Sequence, residues 1–184
     1  MTTARPQRAD ARRNRARVLA AAEQVFAQRG TAASTEEVAR AAGVGVGTVF
    51  RHFPSKEALL QALVVERLAR VAADAREHAA SSDVGEAFFD FFAAVVRGSA
   101  TKLELVDALA ELGIRPNDAV APIAEEVTEA VAALLQQAQR AGAVRGDIAV
   151  SDVIALLAGA SQALRHASDD RPLVVILDGL RRPY

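Results

Sequence analysis

Apolar residues recur at helical spacing, three and four apart, along most of this chain. Val18, Leu19, Ala22, Val25 and Phe26 form the first stripe and predict a helix over about 14–28, closed by Arg29-Gly30. A shorter pattern starts at Ser34. Ser34 and Glu37 have the spacing of a capping box, so a helix is expected from there. Val38, Ala39 and Ala42 continue on one face, and Gly43 suits the left-handed residue that ends a helix. Val44 is the large apolar residue of the turn and is expected to plug the space between helices. A third helix is predicted from Gly45 or Val46 to about Phe53, with Val49 and Phe53 four apart on its inner face. Pro54 ends it, and Ser55 can cap the next. That fourth helix carries Leu59, Leu60, Leu63, Val64, Leu68 and Val71 and is expected to end at about His78 or Ala80, with no Gly or Pro inside it. It would be ~36 Å long.

The second half repeats the theme. Ser81-Ser82-Asp83 reads as a loop and cap, followed by a helix over about 84–98 that holds Phe88, Phe89, Phe91 and Phe92. These four cannot share one helical face. Phe88 and Phe92 lie together, and Phe89 lies beside them. Further helices are predicted over 101–112 and 118–141, with Gly113, Pro116 and Asn117 breaking the chain between them. Gly142 suits the end of the longer one. Two last helices follow, over about 149–166 and 171–181, the second with Asp169 or Asp170 at its cap and Pro172 in its first turn. The pattern is all-α, about nine helices. It divides into a basic, flexible arm over 1–13, a three-helix domain over 14–60 and a larger helical domain over 61–184.

Composition agrees. Hydrophobic residues make up 51% and charged residues 24%, a globular profile. The absence of cysteine excludes disulfides, thiolate metal sites and cysteine nucleophiles. No apolar run reaches the ~18 residues of a membrane span, and the arginine-rich N-terminus has no apolar core of a secretory leader. A cytoplasmic protein that does not engage a membrane is expected. The net charge of −1 hides an asymmetry: residues 1–56 hold ten Lys or Arg and four Asp or Glu, whereas residues 57–184 hold twelve and nineteen. A basic head on an acidic body points to a polyanion at one end.

Helix, tight turn, helix over 34–53 is the helix-turn-helix arrangement, whose second helix can enter a DNA major groove. Val46, Gly47, Thr48, Phe50, Arg51 and His52 lie away from its core-facing pair. Val46 and Thr48 can meet a thymine methyl, Gly47 permits close backbone approach, and Arg51 can pair with a guanine or bind phosphate. Arg15 and Arg17 lie off the apolar stripe of the first helix, toward DNA or water.

Val38-Ala39, Ala42-Gly43-Val44, Gly47-Thr48, Arg51-His52-Phe53, Lys56 and Leu59-Leu60, with the upstream stretch Arg15 to Gly30, resemble the DNA-binding domain of the tetracycline-repressor (TetR) family of bacterial transcription regulators. The likeness covers roughly the first third of the chain. Two positions depart from the usual pattern: Phe50 stands where Tyr is usual, removing a hydroxyl donor, and Gly45 stands where Ser is frequent, removing a side-chain cap. The resemblance implies that His52 and Lys56 contact the phosphate backbone; Thr35, opening the first helix of the motif, joins the expected DNA-contacting set. It further implies a homodimer on a palindromic double-stranded operator, with the last two helices of each subunit forming a four-helix bundle. Val153, Leu157, Ser161, Leu164, Leu173, Ile176, Leu177 and Leu180 are the expected interface, and the small residues at 158–161 would admit a close helix. A small, largely apolar effector is expected against Phe88, Phe92, Leu103, Leu109, Ile123 and Val127, with ordinary core packing as the alternative for each. Arg97, Asp107, Asn117 and Gln162 are polar candidates for the same cavity. Binding there would release the repressor from DNA.

Other readings remain open on the residues alone. A constitutive or architectural DNA-binding protein needs no effector, and an activator would share every motif. An enzyme is disfavoured: His52, His78 and His166 are scattered, there is no HExxH and no nucleophile–base pair. The glycines over 43–48 lack a preceding strand and have Thr48 where a dinucleotide loop needs its third glycine, so no nucleotide cofactor is expected. No other cofactor or metal is expected.

Overall fold

The computed structural model describes residues 4–100 and 120–182. Within them the chain forms α1 (Ala4–Arg29), α2 (Thr35–Ala42), α3 (Val46–His52), α4 (Lys56–Ala79), α5 (Val84–Ala100), α6 (Ala121–Arg140), α7 (Val150–His166) and α8 (Arg171–Leu180). A short 3₁₀ turn, Gly30–Ala32, follows α1. The described residues hold no β-strand, only an isolated bridge between Val144 and Arg181. The fold is all-α. The helix expected over 101–112 and the break at Gly113, Pro116 and Asn117 lie outside the described residues.

One boundary differs clearly. Residues 4–13, expected as an arm separate from the first helix, continue it: α1 starts at Ala4. Pro6 does not prevent this. It is the third residue of α1, and the first four amides of a helix have no intrahelical carbonyl to reach, so the missing N–H costs nothing there.

The described residues fall into two compact units. The first runs through α4 as far as Glu66; the second takes α4 from Arg67 together with α5–α8. In the first, α1 packs on α2 and α3, and α2 on α3. Most of the predicted core is seen: Val18, Leu19, Ala22, Phe26, Val38, Val49 and Phe53 are all at most 3% exposed, joined by Leu59 and Leu60 of α4, whereas Val25 is only half-buried. Val44 is only half-buried, so the turn is not plugged as expected.

The turn itself follows from local chemistry. Ser34 Oγ accepts from the Glu37 amide at 3.2 Å, and the Glu37 carboxylate accepts from the Ser34 amide at 2.8 Å. That reciprocal cap starts α2. Gly43, at φ +63°, ends it. The Val44 amide reaches back to the Ala39 carbonyl at 3.0 Å and the Gly43 amide to the Arg40 carbonyl at 3.1 Å, which is the Schellman pattern. Gly43→Ala is therefore expected to destabilise the first unit by about 1 kcal/mol, because an L side chain is strained at that φ. Chemical denaturation of both proteins measures it.

In the second unit α5 packs on α6, α7 and α8. That surround explains why Phe88, Phe89, Phe91 and Phe92 are all at most 3% exposed although no single helical face holds them. Phe88 and Phe89 meet edge to face at 5.4 Å, and the His78 ring stands edge-on to Phe91 at 5.9 Å. Ala72, Ala75, Val131, Leu134, Val153, Leu157, Leu173 and Leu180 complete the same core. Among the described residues no helix is long and apolar enough to cross a membrane.

Candidate nucleic-acid interface

α3 has seven residues and no acidic one. Such a helix does not persist alone in water. It is held by fully buried Val49, by Phe53 at its C-cap, and by the backbone bond from the Thr48 amide to the Gly45 carbonyl at 2.8 Å. Gly45 caps it without a side-chain bond, as its chemistry requires. With Val49 turned inward, the opposite face is outward. Val46 and Phe50, four residues apart, are 41% and 43% exposed, and Gly47 and Arg51 are exposed beside them. Thr48 and His52 are half-buried on the flanks. This surface offers apolar contact from Val46 and Phe50, hydrogen bonding from Thr48 and His52, and a fixed cationic fork from Arg51. It carries no carboxylate to repel a polyanion.

Thr35 departs from expectation. Its side chain is only 8% exposed, with the hydroxyl 3.4 Å from the Glu36 carboxylate rather than presented outward. Lys56 is half-buried, its Nζ 5.7 Å from the centre of the Phe26 ring. The Arg15 guanidinium lies 5.3 Å from the Phe53 ring, tying α1 to the end of α3. Arg12 and Arg13 are exposed further along α1, with Arg13 paired to Asp10. They also rim an open groove of about 680 Å³ floored by Leu19, Ala62 and Val65.

Carboxylates near the motif serve its caps. The backbone amide of Ser34, with the neighbouring Arg29 guanidinium, holds the Glu37 carboxyl below its ordinary range. Glu36 is lowered chiefly by its own backbone amide and then by Ser34. The Ser55 hydroxyl does the same for Glu57 at the start of α4. All three therefore keep their negative charge near neutral pH, at helix N-termini where it is favourable.

The other predicted sites are rearranged. Phe88, Phe92 and Val127 are core residues of the second unit, and Ile123 is half-buried. Leu103 and Leu109 lie outside the described residues, as do Asp107 and Asn117. Arg97 is exposed and pairs with Asp170 at 2.9 Å, and Gln162 is exposed. Of the expected subunit-contacting residues, Val153, Leu157, Ser161, Leu173 and Leu180 are instead buried in their own chain, and the Ser161 hydroxyl donates to the Leu157 carbonyl at 2.7 Å. Leu164, Ile176 and Leu177 are half-buried and pack on the same core. The reason is α5: its phenylalanines need covering, and α7 and α8 turn their largest aliphatics toward them. What those helices leave outside is a stripe of Ala155, Ala158, Gly159 and Ala163, and the pair Val174 and Val175, which are 50% and 63% exposed. Among the described residues no group of three or more His, Cys, Asp or Glu could hold a metal ion.

Comparison with known proteins bears on both units. Residues 18–63 match the model of the bacterial regulatory proteins of the tetR family, and residues 83–182 match the C-terminal domain of SbtR-like transcriptional regulators. A TetR transcription regulatory protein of Mycobacterium vanbaalenii is 43% identical, the match covering 96% of this chain and 99% of that one with a TM-score of 0.78. The regulator SCO0520 of Streptomyces coelicolor is 33% identical over 92% of this chain and 99% of its own, with a TM-score of 0.75. The HTH-type transcriptional regulator UidR of Escherichia coli K12 is 27% identical over 143 residues, 76% of this chain and 73% of UidR. A likeness that spans both units, on a fold that exposes the second helix of a helix-turn-helix, makes this chain a member of the TetR family of bacterial DNA-binding transcription regulators, which are not enzymes.

Proposed function

We propose that this protein is a homodimeric repressor that binds a pseudo-palindromic operator and leaves it when a small, largely apolar molecule binds the second unit. The α3 surface carries the reading: Val46, Phe50 and Arg51 are exposed on a helix without carboxylates, at the basic end of an otherwise acidic chain. Two such helices would enter successive major grooves about 34–36 Å apart. Val46, Gly47, Thr48, Phe50 and Arg51 would face base edges, and His52 and Lys56 the phosphates. An effector would act by preferring a conformation that holds the two helices at the wrong spacing. The protein would work in the cytoplasm, where its operator is.

The subunit interface in this reading is the outer face of α7 and α8, centred on Ala158, Gly159, Val174 and Val175. Small residues on one helix and exposed valines on the next suit close helix packing, and they are not used by the chain's own core. Val175→Glu is expected to turn a dimer into a monomer of unchanged helix content, measured by sedimentation and circular dichroism. A dimer that survives the charge would move the interface elsewhere.

Selection of sites from a random DNA pool tests the operator. Enrichment of a palindrome bound by two chains supports the reading; a pool that stays random contradicts it. A second reading, a constitutive DNA-binding protein, is favoured by the complete burial of Phe88 and Phe92 against each other, as in a filled core. A thermal-shift screen of apolar ligands separates the two, since a molecule that binds only the native state raises the melting temperature.

A further inference from the structure

The Schellman turn at the end of α2 satisfies the Ala39 and Arg40 carbonyls through the amides of Val44 and Gly43. The Ala42 carbonyl is taken by a side chain from another helix. Arg17 Nη2, on α1, donates to it at 2.7 Å and approaches the Gly43 carbonyl at 3.4 Å. The guanidinium thus sits at the negative end of the α2 dipole, where a cation is favoured. The fit is close: a Cβ on Gly43 would lie 3.0 Å from that same nitrogen. Three residues beyond Gly43 the chain enters α3, whose seven residues depend on the turn for their direction.

We infer that Arg17 is a positioning residue for DNA recognition: it fixes the turn from which the recognition helix leaves, and its charge is spent on carbonyls of the motif rather than on a DNA phosphate. A shift of about 1 Å in α3 displaces every base-facing side chain together, so specific binding weakens although no charge that meets DNA is lost. The inference rests on the operator-binding reading above.

The test compares full-length wild type, Arg17→Ala and Arg17→Lys on the selected operator and on scrambled DNA, at several salt concentrations and at a temperature where circular dichroism shows all three folded. Arg17→Ala is expected to bind the operator about 10-fold more weakly, a charge-assisted hydrogen bond's worth. Its slope of log affinity against log salt is expected to match the wild type. Arg17→Lys, whose ammonium can still donate to a carbonyl, is expected to recover part of the loss. A slope smaller by about 0.9 for each arginine removed would make Arg17 a phosphate contact and overturn the inference. So would unchanged operator affinity with a lowered melting temperature, the mark of a cap that only stabilises. A wild type without sequence preference would overturn the operator reading itself, before any variant is compared.

Discussion

Phe92→Ala is expected to cost about 3–5 kcal/mol of stability and to lower the melting temperature of the second unit. Phe92 is fully buried, 6.5 Å from the Phe88 ring, in a core shared by α4–α8. Removing the ring forfeits its transfer energy and opens a cavity that neighbours on several helices cannot close together. Domains of this size are stable by only about 5–15 kcal/mol, so the loss is a large share of the total. Phe50→Ala is the matched control. Phe50 is 43% exposed on α3, and the same deletion should cost less than about 1 kcal/mol. Urea denaturation of the three proteins, followed by circular dichroism, measures both. Equal losses would mean that the burial difference between the two rings does not govern stability.

Arg51→Ala is expected to reverse that balance, with stability intact and operator binding weakened about 10- to 100-fold. The residue is exposed in the last turn of α3, and its guanidinium is a planar five-donor fork. A bidentate contact to guanine is worth about 1–3 kcal/mol of discrimination. Loss at one operator position would therefore relax sequence preference there, whereas loss of a phosphate contact would weaken all sequences alike. Affinities of wild type and variant for the operator and its single-base variants separate these outcomes. Unchanged affinity would remove Arg51 from the interface.

The parts of this fold that were legible in the sequence are those decided within a few residues. Ser34 and Glu37 cap each other, Gly43 and Gly142 take φ of +63° and +74°, and Val49 and Phe53 share the buried face of α3. Each is a local event whose partner lies close along the chain. What was not legible depends on distant partners. Arg17 read as a cation facing DNA or water, because nothing in its neighbourhood announces the carbonyl 25 residues away that it serves. Thr35 belongs to the expected DNA-contacting set, yet it is buried. α7 and α8 are apolar on more than one side, and periodicity cannot say which side meets the chain's own α5. Leu157 and Leu173 face that helix, while Val174 and Val175 do not. The early start of α1 has a different cause: proline is costly inside a helix and harmless in its first turn, and composition alone does not reveal which position Pro6 occupies.

The central claim is that the α3 surface reads sequence. The most direct measurement is the ratio of affinities for the enriched site and for scrambled DNA of the same length, taken near physiological salt with the purified chain. A sequence-reading regulator should show a ratio of at least about 10³, with two chains on each site. A ratio near one, with both affinities falling together as salt rises, would contradict the account and leave only the attraction of a basic surface for phosphate.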